Sequence, residues 1–292
     1  MNMKFSIIVP SYNQAQFLTA TLDSILLQED VSLEVLVHDG GSDDGSVEIL
    51  EKYSDRISWI SQPDHGQTDA INRGMLAATG DIFAYLNSDD IYFPSTLARI
   101  AKFFKEKPDC QLVYGAASHL NSDGSHMEPY PTEDWNYDRL FETCFICQPA
   151  TFWRRNLIEK IGVFDERLNY SMDYEYWLRA GKAADIRHLP GKPLAGSRLH
   201  ADTKTLGHRV PVHREILRMV RSHARKPLDC YHWLRHLAAL EAGELGFPAS
   251  AVPAGQKIHA YHSARWRLAI AETLQIELDH KILAETSKLI SP

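Results

Sequence analysis

Two adjacent carboxylates, Asp89 and Asp90, follow the apolar run Ile82–Leu86 and the polar pair Asn87-Ser88. Neighbouring side chains at the end of an extended segment point in different directions. One can therefore ligate a divalent cation while the other accepts hydrogen bonds from a ribose or a bridging water. A diphosphate would supply the remaining oxygens of such an ion's shell. Taken alone, the same pair better suits a solvated turn that caps a helix starting at Pro94. Its neighbours in the chain give it more weight. Asp39-Gly40-Gly41-Ser42-Asp43-Asp44-Gly45 forms a second acidic loop, and Asp64-His65-Gly66-Gln67-Thr68-Asp69-Ala70-Ile71-Asn72-Arg73-Gly74 lies just ahead of the Asp-Asp strand. Further on, Asp173 in Met172-Asp173-Tyr174-Glu175 is either a helix-start carboxylate favoured by the macrodipole or a base. The run Arg198-Leu199-His200 adds a cation and an imidazole.

These residues need a frame that holds them together. Lys4–Pro10 and Leu33–Asp39 read as short buried strands, joined by a helix over Gln14–Leu27 in which Leu18, Leu22, Ile25 and Leu26 recur at helical spacing. The glycine-rich turn at 39–45 starts a helix running to about Tyr53. Ile57–Ser61 and Asp81–Leu86 are further strands, separated by a helix over Thr68–Ala78. A helix follows from Pro94, and Gln111–Ala117 and Ala150–Trp153 add strands, with an Asn121-Ser122-Asp123-Gly124 turn between them. This alternation predicts an α/β fold with a mostly parallel sheet flanked by helices. Ligands in such sheets bind beyond the carboxyl ends of the strands, where Ser11–Asn13, Asp39–Asp44 and Asn87–Asp90 all fall.

The ordered set Ile-Val-Pro-Ser-Tyr-Asn (8–13, led by Ile7), Asp-Gly-Gly-Ser-Asp-Asp-Gly (39–45), Asp-Ala-Ile-Asn-Arg-Gly (69–74) and Asn-Ser-Asp-Asp (87–90) resembles the family 2 glycosyltransferases. It covers roughly the first two thirds of the chain, and four motifs in order are far more specific than any one. The resemblance implies a GT-A fold and inverting transfer of a sugar from a nucleotide diphosphate, by default uridine diphosphate. The acceptor would be a hydroxyl of a glycan or lipid-linked molecule, in cell-surface polysaccharide synthesis. It puts Pro10, Ser11, Tyr12 and Asp39 around the base, with Asp39 accepting a base N–H, and Asp69, Asn72 and Arg73 in the donor site. Asp89 would lie near ribose and metal, and Asp90 would ligate Mn²⁺ or Mg²⁺ directly, with His200 as a further metal-site residue. Asp173 would be the general base. Two positions depart from the family pattern: Asn87 and Met172 stand where acidic residues are common.

Net charge is −7 and the sequence pI is near 6.0, which argues against general affinity for nucleic acid. No apolar leader opens the chain and no run is long enough to span a bilayer, so a cytoplasmic protein is expected. Cys144-Phe-Ile-Cys147 lacks the second pair a structural zinc site needs. A glycosyltransferase domain is expected over 1–206 and a helical region over 207–292, with a break at Gly246–Gly255. There Arg214, Arg218, Arg221 and Arg225 form one basic face, so 208–226 could lie peripherally on the inner face of an anionic membrane. Trp233, Tyr261 and Trp266 read as core. Two rival activities remain at this level: a sugar nucleotidyltransferase, whose glycine-rich, arginine-bearing loop is absent after the first strand, and a non-catalytic nucleotide-sugar or glycan-binding module. A dehydrogenase is disfavoured because no Gly-x-Gly-x-x-Gly follows the first strand.

Overall fold

The computed structural model describes residues 3–200, 203–204 and 209–224. The chain divides into two compact units, Met1–Tyr137 with Cys144–His200, and Asp138–Thr143 with Ala201–Pro292.

In the first unit, β1 (Lys4–Ser11) pairs in parallel with β2 (Ser32–Asp39) and with β4 (Ile82–Tyr85), and β2 pairs in parallel with β3 (Ser58–Ser61). With a strand on each side and helices over both faces, the centre of β1 is apolar, and Phe5, Ile7, Ile8 and Val9 are all fully buried, while the buried Ser6 hydroxyl donates to Glu34. The connections are α1 (Ala15–Leu26), α2 (Ser46–Lys52) and α3 (Gln67–Ala77). α1 buries Phe17, Leu18, Thr21, Leu22 and Ile25, the helical stripe visible in the sequence. α3 approaches β1 so closely that a Cβ on Gly74 would lie 2.5 Å from Ile8 Cγ2.

The sheet is completed by β6 (Leu112–Gly115), β9 (Thr151–Arg154) and β10 (Ile186–Leu189), in the order β10-β6-β9-β4-β1-β2-β3. Only β9 runs against its neighbours, so the sheet is mostly parallel as expected. A second sheet, unforeseen in the sequence, has the order β5-β11-β7-β8, formed by Ile91–Tyr92, Ala195–Arg198, Ala117–Leu120 and His126–Pro129. The strand expected over 111–117 is split between the two sheets. Leu194 occupies the space a side chain at 115 would need, since a Cβ on Gly115 would meet Leu194 Cδ1 at 2.6 Å, and Leu194 N–H donates to Ala116 O. The 121–124 turn closes the β7–β8 hairpin, with Gly124 at φ 86°.

Helix α4 (Thr96–Glu106) starts two residues after Pro94, behind Ser95 in the left-handed region. α5 (Tyr137–Leu140) is one turn, and α6 (Arg155–Ile161) and α7 (Met172–Ala183) pack together. In the second unit, α8 (Arg209–His223) exposes Arg214, Arg218 and Arg221 and buries Val212, Met219 and Val220. Arg225, Cys230, Trp233, the 246–255 break, Tyr261 and Trp266 lie outside the described residues.

Candidate active site

Leu86 continues β4 by donating to Ile8 O, and the chain then turns through Asn87–Asp90, closed by Asp90 N–H to Asn87 O at 3.0 Å. The Thr21 hydroxyl on α1 lies 2.9 Å from Ser88 O and 2.7 Å from Asp90 O, tying the turn to the helix below. Arg198, at the end of β11, holds the other side. Its backbone N–H donates to Asp90 Oδ1 at 2.9 Å, its Nε to Asp89 O at 2.8 Å and its Nη1 to Ser122 O at 2.8 Å. The guanidinium stacks over the Phe17 ring at 4.8 Å, so this cation is consumed under the turn.

The two carboxylates therefore differ. Asp90 is buried, and burial together with the charge of Asp89 raises its pKa well above the usual carboxylate range. Asp89 Oδ2 meets His200 Nε2 at 2.9 Å, and the His200 ring packs on Phe17 at 4.8 Å. The structure thus brings Asp89, Asp90 and His200 to one strand end. Among the described residues no three His, Cys, Asp or Glu side chains converge into a ready metal cage. The set still fits Mg²⁺ or Mn²⁺, which bind through one or two carboxylates and take the rest of their shell from water and substrate phosphates. A cation there would also relieve the repulsion that raises Asp90.

The loop after β1 and the loop after β2 share a second strand end. Asp39 is buried, and its oxygens accept from Gly41 N–H, Ser42 N–H, the Ser42 hydroxyl and the Ser61 hydroxyl at 2.6–3.1 Å. Its carboxylate thus shapes its own loop. Pro10 and Ser11 are buried, whereas Tyr12 is 63% exposed and leaves an aromatic face open. Tyr12 and the Asp64 carboxylate both crowd Gly40, at 3.2 and 3.3 Å from where its Cβ would stand. On α3, Asp69 accepts from His65 N–H, Arg73 Nε and Arg73 Nη2 at 2.8–3.0 Å. Burial opposes its charge, but these bonds prevail and hold the Asp69 pKa below the usual carboxylate range. Asn72 is turned elsewhere. Its amide donates to Phe164 O and Glu166 Oε1 and accepts from Phe164 N–H, all within 3.0 Å.

Asp173 sits in the first turn of α7, where Tyr174 N–H lies 2.7 Å from its Oδ1. Its charge reaches Tyr85 and Cys147, whose pKa values are raised by burial first and then by Asp173 and Asp90 together. Arg179 Nε is shared between the two Glu175 carboxylate oxygens at 2.8 and 2.9 Å and anchors α7, with Arg179 Nη2 also donating to Val163 O at 2.8 Å. Trp177 is fully buried against Trp153, as core.

Three side chains at these strand ends escaped the sequence reading. Gln67 and Gln148 contact Asn87, and His38 on β2 has its pKa lowered by burial first and then by the Arg73 charge. The alternation of Val35, Val37 and Asp39 on one face of β2 could have placed His38 on the other, under α3. Gln148 carries no such signal.

The chain is similar to several glycosyltransferases. An uncharacterized glycosyltransferase of Rickettsia prowazekii is 27% identical over 213 residues, covering 68% of this chain and 65% of its own length. The chain thus spans less than two thirds of that relative. A PGL/p-HBAD biosynthesis glycosyltransferase of Mycobacterium bovis is 34% identical over 180 residues, covering 60% of this chain and 68% of its own. Among solved structures, S. aureus TarS 1–349 in complex with UDP-GlcNAc superposes with a TM-score of 0.63 at 19% identity, covering 99% of this chain and 89% of TarS 1–349. The mannosyltransferase PcManGT of Pyrobaculum calidifontis, in complex with GDP-Man and Mn²⁺, gives 0.62 at 18% identity, covering 99% and 86%. The shared fold is GT-A. A family model for Glycosyl transferase family 2 matches residues 6–162, more than half of the 292-residue chain, and the chain belongs to that family.

Proposed function

We propose that the protein is an inverting, metal-dependent glycosyltransferase that moves a sugar from a nucleotide diphosphate, uridine-linked by preference, to a hydroxyl of a glycan or lipid-linked acceptor. Cell-surface polysaccharide synthesis is the process this chemistry fits. The observation that carries the reading is the turn after β4, where the adjacent carboxylates Asp89 and Asp90 meet the His200 imidazole at a strand end. The complexes of TarS with UDP-GlcNAc and of PcManGT with GDP-Man and Mn²⁺ support a nucleotide-sugar donor.

In this proposal Pro10, Ser11, Tyr12 and Asp39 receive the base, with Tyr12 stacking on it and the 39–42 loop offering polar atoms. Asp69 orients Arg73 toward the donor, and Asn72 braces the segment leading to α7. Asp89, Asp90 and His200 would hold Mn²⁺ or Mg²⁺, which supplies Lewis-acid charge for the departing diphosphate. The contacts favour Asp89 and His200 facing the ligand, with Asp90 fixed behind them by Arg198. Asp173 takes the proton of the attacking hydroxyl, and direct displacement at the anomeric carbon inverts it. The exposed arginines of α8 support a peripheral contact of residues 208–226 with an anionic membrane surface. Sedimentation with anionic vesicles unchanged by Arg218→Glu with Arg221→Glu would exclude that contact.

The test of the main proposal is a thermal-shift and turnover screen of nucleotide sugars with and without Mn²⁺. Metal-dependent stabilisation by one donor, with release of nucleoside diphosphate, is expected. Release of pyrophosphate would identify a nucleotidyltransferase instead, and binding without consumption of any donor a binding module.

A further inference from the structure

Asn87 stands where the resemblance implies a carboxylate, and three polar side chains surround its amide. The chain of bonds starts from a backbone carbonyl, which fixes its direction. Gln148, buried in the 3₁₀ turn Gln148–Ala150, donates through Nε2 to Tyr85 O at 2.7 Å. Its Oε1 must then face Asn87, and Asn87 must donate to it, at 3.4 Å. The same Asn87 Nδ2 lies 3.3 Å from Asp90 Oδ2, and the opposite atom, Oδ1, accepts from Gln67 Nε2 at 2.7 Å. Two acceptors thus face the amide nitrogen and one donor faces the oxygen, so only an amide satisfies all three neighbours.

We propose that Gln148, Asn87 and Gln67 form a neutral amide relay that positions Asp90, and that this protein needs Asn at 87 rather than one more carboxylate. The proposal rests on reading Asp89 and Asp90 as the diphosphate-ion site. Asn87 and Gln148 act through Asp90 and are positioning residues. A carboxylate at 87 would present acceptors to Gln148 Oε1 and Asp90 Oδ2 and set like charges a hydrogen-bond length apart. Turning Gln148 over to donate would only move the conflict to Tyr85 O. Counting carboxylates leads to the opposite expectation, since an added negative charge should tighten cation binding.

Mn²⁺ binding in the presence of uridine diphosphate, followed by the electron paramagnetic resonance of free Mn²⁺, separates the two. Asn87→Asp is expected to weaken Mn²⁺ binding about tenfold, the scale of about 1.4 kcal/mol, and to lower kcat for donor turnover more than it raises donor KM. Binding as tight as wild type, or tighter, overturns the relay. Should Asn87→Asp fail to fold, Gln67→Met carries the test. It removes only the half-buried end of the relay, and is expected to weaken Mn²⁺ about threefold at an unchanged thermal midpoint, on the scale of one neutral hydrogen bond. Unchanged binding in that variant overturns the relay equally. A wild-type protein that binds neither Mn²⁺ nor uridine diphosphate overturns the functional reading itself, an outcome visible before any variant is made.

Discussion

Asn72→Ala separates two uses of one amide. Motif position sets Asn72 in the donor site, yet its side chain already makes three hydrogen bonds to Phe164 and Glu166. Alanine would leave the N–H and C=O of buried Phe164 without partners, and each such group costs about 1–3 kcal/mol. The bond to Glu166 adds little because Glu166 is exposed. With some relaxation, a loss of about 3 kcal/mol is expected, or about 6–12 °C in thermal midpoint for a unit of this size. Phe164 also stacks on Tyr176 of α7 at 4.4 Å, so the slack reaches the helix that carries Asp173. Urea denaturation and titration with uridine diphosphate are the two assays. Stability should fall while nucleotide affinity stays within about threefold and kcat drops. A variant of wild-type stability that no longer binds nucleotide would show that Asn72 touches the donor and that the brace is incidental.

Asp173→Asn should lower kcat about 10²–10⁴-fold and leave nucleotide affinity intact, and near-normal turnover would remove Asp173 as the base. Gly74→Ala forces a Cβ against Ile8 and should cost about 1–3 kcal/mol; pairing it with Ile8→Ala should cost less than the sum of the single changes, and strict additivity would refute the close contact. Glu34 accepts from Lys4, Ser6 and Thr79, which against the cost of burial hold its pKa at about 2 rather than 4.5. A depressed carboxylate stabilises the fold above its unfolded pKa, and that contribution is lost as pH falls from about 4.5 to about 2. Discounted for partial exposure, Glu34→Gln should cost about 1–2 kcal/mol at pH 7 and progressively less toward pH 3, and a difference that does not change with pH would contradict the linkage.

Much of the main sheet was legible because its signals are local. Apolar runs gave β1, β2 and β4, leucine and isoleucine spacing gave α1, and the glycine and aspartate turns marked the strand ends. The second sheet was not legible. β5 has two residues, β7 continues directly from β6, and β11 carries Ala-Gly-Ser-Arg, so none shows strand periodicity of its own. Those short strands are created by tertiary contacts, chiefly the entry of Leu194 over Gly115.

The same limit governs the acidic pair. Adjacency alone makes Asp89 and Asp90 look equivalent, and the resemblance gave the direct ion contact to Asp90. What distinguishes them is Arg198, 108 positions from Asp90, whose N–H engages the Asp90 carboxylate and whose guanidinium grips the Asp89 carbonyl. In sequence Arg198 is simply a cation beside His200 at the end of the core. Folding β11 against β7 turns the guanidinium inward, onto Phe17 and the carbonyls of two loops. Arg198 thus holds a positive charge beneath two adjacent carboxylates, at the turn for which we propose the ion site.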